Sequence, residues 1–165
     1  MKMSRRKWLS GIADIYISVM RGTPVLVLLM LMFYVFLAKV NINGVYVAVI
    51  TFALNFAAYV SEMFRTAIQS VDRGQTEAGI ALGFSPFQTF VNIIMPQAVQ
   101  KVLPVYKGEM ISLIKTTSIV GYIAVEDLTK VSDIIRSRTF DAFFPLLMVA
   151  IMYFILSWIF GKALD

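Results

Sequence analysis

Apolar residues gather in four long blocks separated by short polar stretches, and the blocks are longer than the strands or core helices of an ordinary soluble domain. The first, 24–40, is apolar except for Lys39, whose ammonium can extend to an interface. About 17 residues at 1.5 Å each are just enough for a thin hydrocarbon core. After a turn at 41–44, the second block, 45–64, carries Asn55, Tyr59 and Glu62 at i, i+4 and i+7, on one helical face. Lipid cannot satisfy such a stripe, so it faces protein or water. Packing between helices and a hydrophilic pathway both fit, and Glu62 also fits an interfacial place beside Arg65. The third block, 96–117, follows a helical stretch from Phe87 that runs along the membrane surface up to Pro96. Gln97, Lys101, Gly108, Ser112 and Lys115 recur there at spacings of 4, 7, 4 and 3. At 100° per residue they fall within an arc of about 60°, with Glu109 beside it and Pro104 placed to kink the helix. Ionisable residues at membrane depth are costly and usually line a cavity, so the stripe reads as a polar pathway. Lys101, near the inner end, also fits snorkelling, and Glu109 also fits pairing with Lys107 or Lys115. The fourth block, 143–161, has Pro145 in its first turn and Trp158 as an interfacial residue, and Lys162 ends it.

The flanking stretches are patterned differently. Residues 1–22 carry Lys2, Arg5, Arg6, Lys7 and Arg21, with Trp8, Leu9, Ile12, Ile15, Tyr16 and Val19 at helical spacing. That is an amphipathic helix lying on the cytosolic membrane face. Residues 119–141 mix Glu126, Asp127, Lys130, Asp133, Arg136, Arg138 and Asp141 into an apolar background and read as a half-buried helix outside the membrane. Residues 74–95 form a polar elbow. Glu77 and Ala78 belong to a short helix that breaks at Gly83, since glycine takes the left-handed conformation without a Cβ clash. Ser85 and Pro86 then restart a helix as N-cap and first helical residue. The product is a knob suited to a socket on a partner protein, although turn chemistry alone fits an ordinary connecting loop as well. The fold expected is all-α: a single domain over 1–165, polytopic, with about four transmembrane helices, an amphipathic N-terminal helix and a cytosolic elbow.

Composition narrows the function. Of the 165 residues, 59% are hydrophobic, well above a soluble domain. The net charge of +5 reads as membrane orientation, not as nucleic-acid binding. Eight Lys and Arg fall in the N-terminal segment, elbow and tail, against four in the opposite connections, which places both ends and the elbow in the cytoplasm. With no Cys and no His, disulfides, thiolate nucleophiles and the commonest metal ligands are excluded. No Gly-x-x-x-x-Gly-Lys-Ser/Thr loop is present, so any ATP hydrolysis by that route belongs to another chain. No metal or cofactor is expected, and without close acid pairs in the spans an intramembrane enzyme is disfavoured. The rival from another class is a membrane structural or assembly subunit without its own transport pathway.

Glu77-Ala78-Gly79, Gly83 six positions after the Glu, Ile93 and Met95-Pro96 resemble the EAA loop of bacterial ABC importer permeases. That pattern is Glu-Ala-Ala, three residues, Gly, nine residues, Ile, one residue and Leu-Pro. Here Met95 stands for the Leu, and Gly79 replaces the closing alanine of the triplet, weakening the short helix by about 1 kcal/mol. Arg21-Gly22-Thr23-Pro24, Ala58-Tyr59-x-Ser61-Glu62-x-x-Arg65, Pro96-Gln97-Ala98, Leu103-Pro104 and Lys115-x-Thr117-Ser118 are similar to the polar amino acid permease subfamily, over nearly the whole chain from Asp14.

The resemblance implies a type I ABC importer permease in the bacterial plasma membrane. Two permease subunits, identical or different, pair around a central pathway. A cytosolic ABC ATPase grips each elbow, and an extracytoplasmic binding protein delivers the amino acid. Glu77 would contact the ATPase or cap the elbow's own amides, Ala78, Gly79 and Phe84 would complete the coupling surface, and Gly83 would let the backbone turn in the socket. Solute recognition would fall to Lys101, Glu109, Ser112, Lys115 and Thr117, joined by Asn55 and Tyr59, with Pro24, Pro96 and Pro104 shaping the helices. The family often carries Asn where Glu109 stands, and an acid there would favour a cationic group. Members usually begin with one more span before the basic linker, so that helix is expected to be truncated, supplied by another chain or lost.

Overall fold

The computed structural model describes residues 7–164 and is helical throughout, with no strand among the described residues. The basic lead-in Lys2, Arg5 and Arg6 lies outside the described residues, as does the side chain of Lys7. Helix α1 (Lys7–Gly22) is followed by α2 (Val25–Leu31), which widens into a π-helical turn (Met32–Phe36). Then come α3 (Gly44–Gln69), α4 (Arg73–Ala81) and α5 (Pro86–Thr89), which passes through a second π-turn (Phe90–Ile94) into α6 (Met95–Thr116). A 3₁₀ run (Thr117–Ile123), α7 (Leu128–Thr139) and α8 (Phe143–Ala163) complete the chain.

The chain packs as two units. One comprises Met1–Ser18 and Ala57–Gly108, the other Val19–Phe56 and Glu109–Asp165. In the first, Ala67, Val71, Ile94, Ala98 and Val102 form a core that Phe64, Ile68, Phe90 and Tyr106 extend. In the second, Leu29, Ala48, Phe52, Val120 and Ile123 form the core, with Val25, Phe33 and Leu113 against it. Most large apolar side chains stay outside both. Trp8, Ile12, Ile15 and Val19 of α1 are exposed at helical spacing, and α8 is exposed along nearly its whole length. A bilayer or a partner helix is the solvent such surfaces need.

By length and composition, α3 and α8 can each cross a membrane. A third span exists only if α1 and the α2 run, broken at Thr23–Pro24, count as one. Pro24 has no N–H to donate and sits in an extended conformation (φ −55°, ψ 132°), so the helix stops and restarts there. The apolar block 24–40 is helical only as far as Phe36 before it turns. Helix α6 is 22 residues long, but Lys101, Lys107, Glu109 and Lys115 keep it from being apolar enough to cross on those criteria.

One stretch folds differently from the sequence expectation. The helix expected over 119–141 is instead the 3₁₀ run, a left-handed Ala124 (φ 59°) and α7. Asp127 starts α7 late, its carboxylate accepting from the amides of Thr129 (3.2 Å) and Lys130 (2.9 Å). The helical stretch expected from Phe87 to Thr117 is a continuous run from Pro86 to Thr116, with the π-turn just ahead of Pro96. A wider turn there eases the clash of the proline ring with the carbonyl four residues back.

Candidate functional site

The elbow is built from three local devices. Asp72 opens α4 by accepting the Gly74 amide at 2.6 Å. The cap is therefore Asp72 and not Glu77, which lies exposed on the helix. At the other end the Phe84 amide donates to the Gly79 carbonyl (3.1 Å) and the Gly83 amide to the Ile80 carbonyl (2.9 Å). This is a Schellman closure with Gly83 at φ 86°. Ser85 and Gln88 then form a reciprocal capping box, the Gln88 amide donating to Ser85 Oγ at 3.3 Å and the Ser85 amide to Gln88 Oε1 at 2.9 Å. Pro86 sits at the start of α5 as expected.

The tip this produces is apolar and open, with Leu82 76% and Phe87 75% exposed and Phe84 beside them. Ala78 is exposed as well, while Gly79 is buried. A Cβ on Gly79 would lie 2.6 Å from Thr89 Cγ2, 2.9 Å from Thr89 Oγ1 and 3.0 Å from Ile93 Cδ1. Gly79 thus has a packing reason that the helix-propensity argument missed: it lets α4 close on α5 and the π-turn. Thr89 is buried to 1%, and among the described residues its hydroxyl has no partner. Behind the elbow is a cleft of about 590 Å³ lined by Ile68, Val71, Arg73, Thr76, Thr89 and Phe90 among others.

The polar stripe of α6 divides in its use. Toward the N-terminal end, Gln97 Nε2 donates to Gln75 Oε1 (3.1 Å) and to the Ile93 carbonyl (3.0 Å). Lys101 Nζ donates to the Ser70 carbonyl (2.8 Å) and Oγ (3.3 Å). Further along, Glu109 is half-buried and Ser112, Lys115 and Thr117 are exposed on the isolated chain. Among the described residues no hydrogen bond joins these four to one another. The Thr117 hydroxyl donates to the Ile114 carbonyl at 2.7 Å. Pro104 lies inside α6 and Pro96 is its second residue.

On α3, Asn55 Nδ2 donates to the Met20 carbonyl at 2.6 Å, so its amide ties α3 to the end of α1. Glu62 forms an ion pair with Arg65, and Arg65 also donates to Gln69 Oε1 at 2.6 Å. Tyr59 is half-buried. A polar node that the sequence did not suggest lies elsewhere: Tyr153, midway along α8, donates its hydroxyl to Asp127 Oδ2 at 3.1 Å. Its only sequence signal was an Asp two residues before Thr129-Lys130, an N-cap pattern.

This arrangement has counterparts. Residues 1–162 match the family model described as binding-protein-dependent transport system inner membrane component. A putative glutamine transport system permease protein GlnP of Rickettsia bellii is 36% identical over 157 residues, covering 94% of this chain and 72% of that protein. A probable amino-acid ABC transporter permease protein YckA of Bacillus subtilis is 39% identical over 153 residues, covering 92% and 68%. A crystal structure of an amino acid ABC transporter with histidines superposes with a TM-score of 0.90 at 39% identity, covering 99% of this chain and 77% of that one. The chain belongs to the binding-protein-dependent transport system inner membrane components. It is a multi-pass inner-membrane permease subunit.

Proposed function

We propose that the chain carries polar amino acids across the bacterial inner membrane, using force that a separate ATPase delivers to its elbow. The amino acid ABC transporter assignment rests on the relatives, whose names include glutamine, cystine and arginine permeases. One observation carries the coupling role: the self-capped elbow, which presents an exposed apolar tip although the chain has no nucleotide loop. Leu82, Phe84, Glu77 and Ala78 form the face offered to the ATPase, and Gly83 sets its turn. The chain itself catalyses no reaction. It pairs with a second permease subunit, of the same or a different kind, and receives its solute from an extracytoplasmic binding protein.

Glu109, Ser112 and Lys115 of α6, with Thr117 just after it, are the solute candidates of that helix, and Tyr59 is a separate candidate on α3. The Asn55 amide is engaged with the end of α1, which leaves Asn55 the weaker candidate. A carboxylate at membrane depth is a costly group, which supports a functional place for Glu109. Affinity purification of the tagged chain is expected to recover an ABC ATPase subunit, and the complex to import amino acids in an ATP-dependent way. Recovery of the chain with membrane partners but no ATPase would favour an assembly subunit. Glu109→Gln is expected to shift competition from cationic toward neutral amino acids, and an unchanged profile removes Glu109 from the solute face.

A further inference from the structure

The part of the α6 stripe nearest the elbow does different work from the rest. Gln97 and Lys101 stand at i and i+4, on one face of the helix. Both side chains end on oxygens that belong to the elbow and its entrance. Ser70 directly follows α3, and Gln75 lies in the first turn of α4. The Lys101 ammonium meets the Ser70 carbonyl at 2.8 Å and its hydroxyl at 3.3 Å. A cation at a helix C-terminus satisfies leftover carbonyls and complements the helix dipole. Under these polar ties, Ala67 in the last turn of α3 and Val71 just after it share one apolar core with Ile94, Ala98 and Val102. On the far side Gly79 is closed against Thr89 and Ile93. Both arms of the elbow are therefore fastened to the first turns of α6.

We propose that Lys101 is a positioning residue for coupling and not a solute contact: with Gln97, it binds the elbow to α6 so that the two move as one body. The proposal rests on the reading of the elbow as the ATPase-bearing element. It replaces the place of Lys101 in the solute pathway with a mechanical one. An ammonium directed at two oxygens of its own chain is oriented by them, and donation to the Ser70 carbonyl needs an N–H as well as a charge.

The test uses the full transporter in proteoliposomes, namely this chain with its ATPase, partner permease and binding protein, and labelled L-glutamine, L-arginine and L-cystine as probes. Lys101→Met is expected to lower maximal transport about tenfold at unchanged KM, with ATP hydrolysis within about twofold of wild type, so that fewer molecules move per ATP. Lys101→Arg keeps the donors and is expected to stay within about threefold of wild type. Because the chain has no Cys, Lys101→Cys introduces its single thiol. Aminoethyl methanethiosulfonate rebuilds a primary ammonium of nearly lysine length there and is expected to restore transport, and reductant to remove it again. A trimethylammonium reagent brings charge without an N–H and is expected not to restore it.

Three results overturn the proposal: a raised KM at intact maximal rate in Lys101→Met, which returns Lys101 to the solute; equal rescue by both reagents; or wild-type transport in every variant. If Lys101→Met does not assemble, the aminoethyl rescue decides alone, and its absence overturns the proposal. A wild-type complex that holds the ATPase but moves none of the three probes strikes the transport reading first and this inference with it.

Discussion

The elbow and the stretch from Thr117 to Phe140 both turn the chain between helices, with different residues in the left-handed positions. The elbow places a glycine where the left-handed conformation is needed and closes each turn with hydrogen bonds to residues within five positions. The later stretch puts Ala124 (φ 59°) and Phe140 (φ 55°) into that conformation. A non-glycine residue there costs about 1–2 kcal/mol. Local bonds close this turn too, the Ala124 amide donating to the Gly121 carbonyl and the Val125 amide to the Val120 carbonyl, both at 3.3 Å, and a distant tie is added: Asp127, which caps α7, accepts from Tyr153, 26 residues on in α8. Gly44 is equally dependent on distant chain, since a Cβ there would lie 3.0 Å from a Val125 methyl. The difference bears on load. A turn that satisfies its own amides can present an apolar tip to another protein and keep its shape. A turn that closes locally around a strained non-glycine residue leans in addition on its distant tie.

The sharpest way to break this comparison is at Gly83. Gly83→Asp is expected to reduce transport at least about a hundredfold while membrane levels stay normal on immunoblots, because a left-handed non-glycine costs about 1–2 kcal/mol and the new charge sits on the docking turn. There is open space around a Cβ at that position, so the damage lies in conformation and docking and not in a clash. Normal uptake would show that the turn carries no load.

Gly79→Ala comes next. It is the change that propensity alone would call stabilising, yet overpacking against Thr89 is expected to cost about 1–3 kcal/mol. Transport should fall about tenfold, and Thr89→Ala added to it should restore most of the loss, a coupling that a double-mutant cycle reads directly. Additive effects would remove the close packing as the reason for the glycine.

Asp127 supplies the smallest effect and sharpens the other side. Asp127→Ala is expected to cost about 1–3 kcal/mol from the lost cap and the Tyr153 bond together, and Tyr153→Phe about 1 kcal/mol. Thermal unfolding of the purified complex should therefore rank wild type, Tyr153→Phe and Asp127→Ala in falling order. An Asp127→Ala no worse than Tyr153→Phe would mean that the cap contributes little.

Local chemistry made the elbow legible: Ser85-Pro86 and Gly83 each announce their backbone roles within a few residues, while the Gln88 half of the capping box went unread. The apolar blocks announced α3 and α8 for the same reason, since composition alone decides whether a long helix tolerates lipid. What the periodic pattern left out are partners far along the chain. Lys101 looked like one more member of a polar stripe until Ser70, 31 residues earlier, accepted its ammonium. Asn55 shared a face with Tyr59, but a carbonyl of α1 claimed its amide. Periodicity says which residues share a face and is silent about what that face meets. Residues 119–141 failed for a related reason: the mixed pattern suits a helix throughout, and a capping Asp in its middle outweighs it.

The π-turn at Phe90–Ile94 has a consequence for how tolerant the chain is to change in length. A π-turn holds about one residue more than an α-turn, and each residue advances a helix by about 100°. Deleting a single position between 90 and 94 would let the turn relax to ordinary α geometry with the helix on either side nearly in phase, so Gln75 and Ser70 would still face Gln97 and Lys101. The same deletion in the regular α-helix between 95 and 100 would swing the elbow by about 100° relative to Lys101. Changes of length are therefore better absorbed at the π-turn than in the helix that follows it.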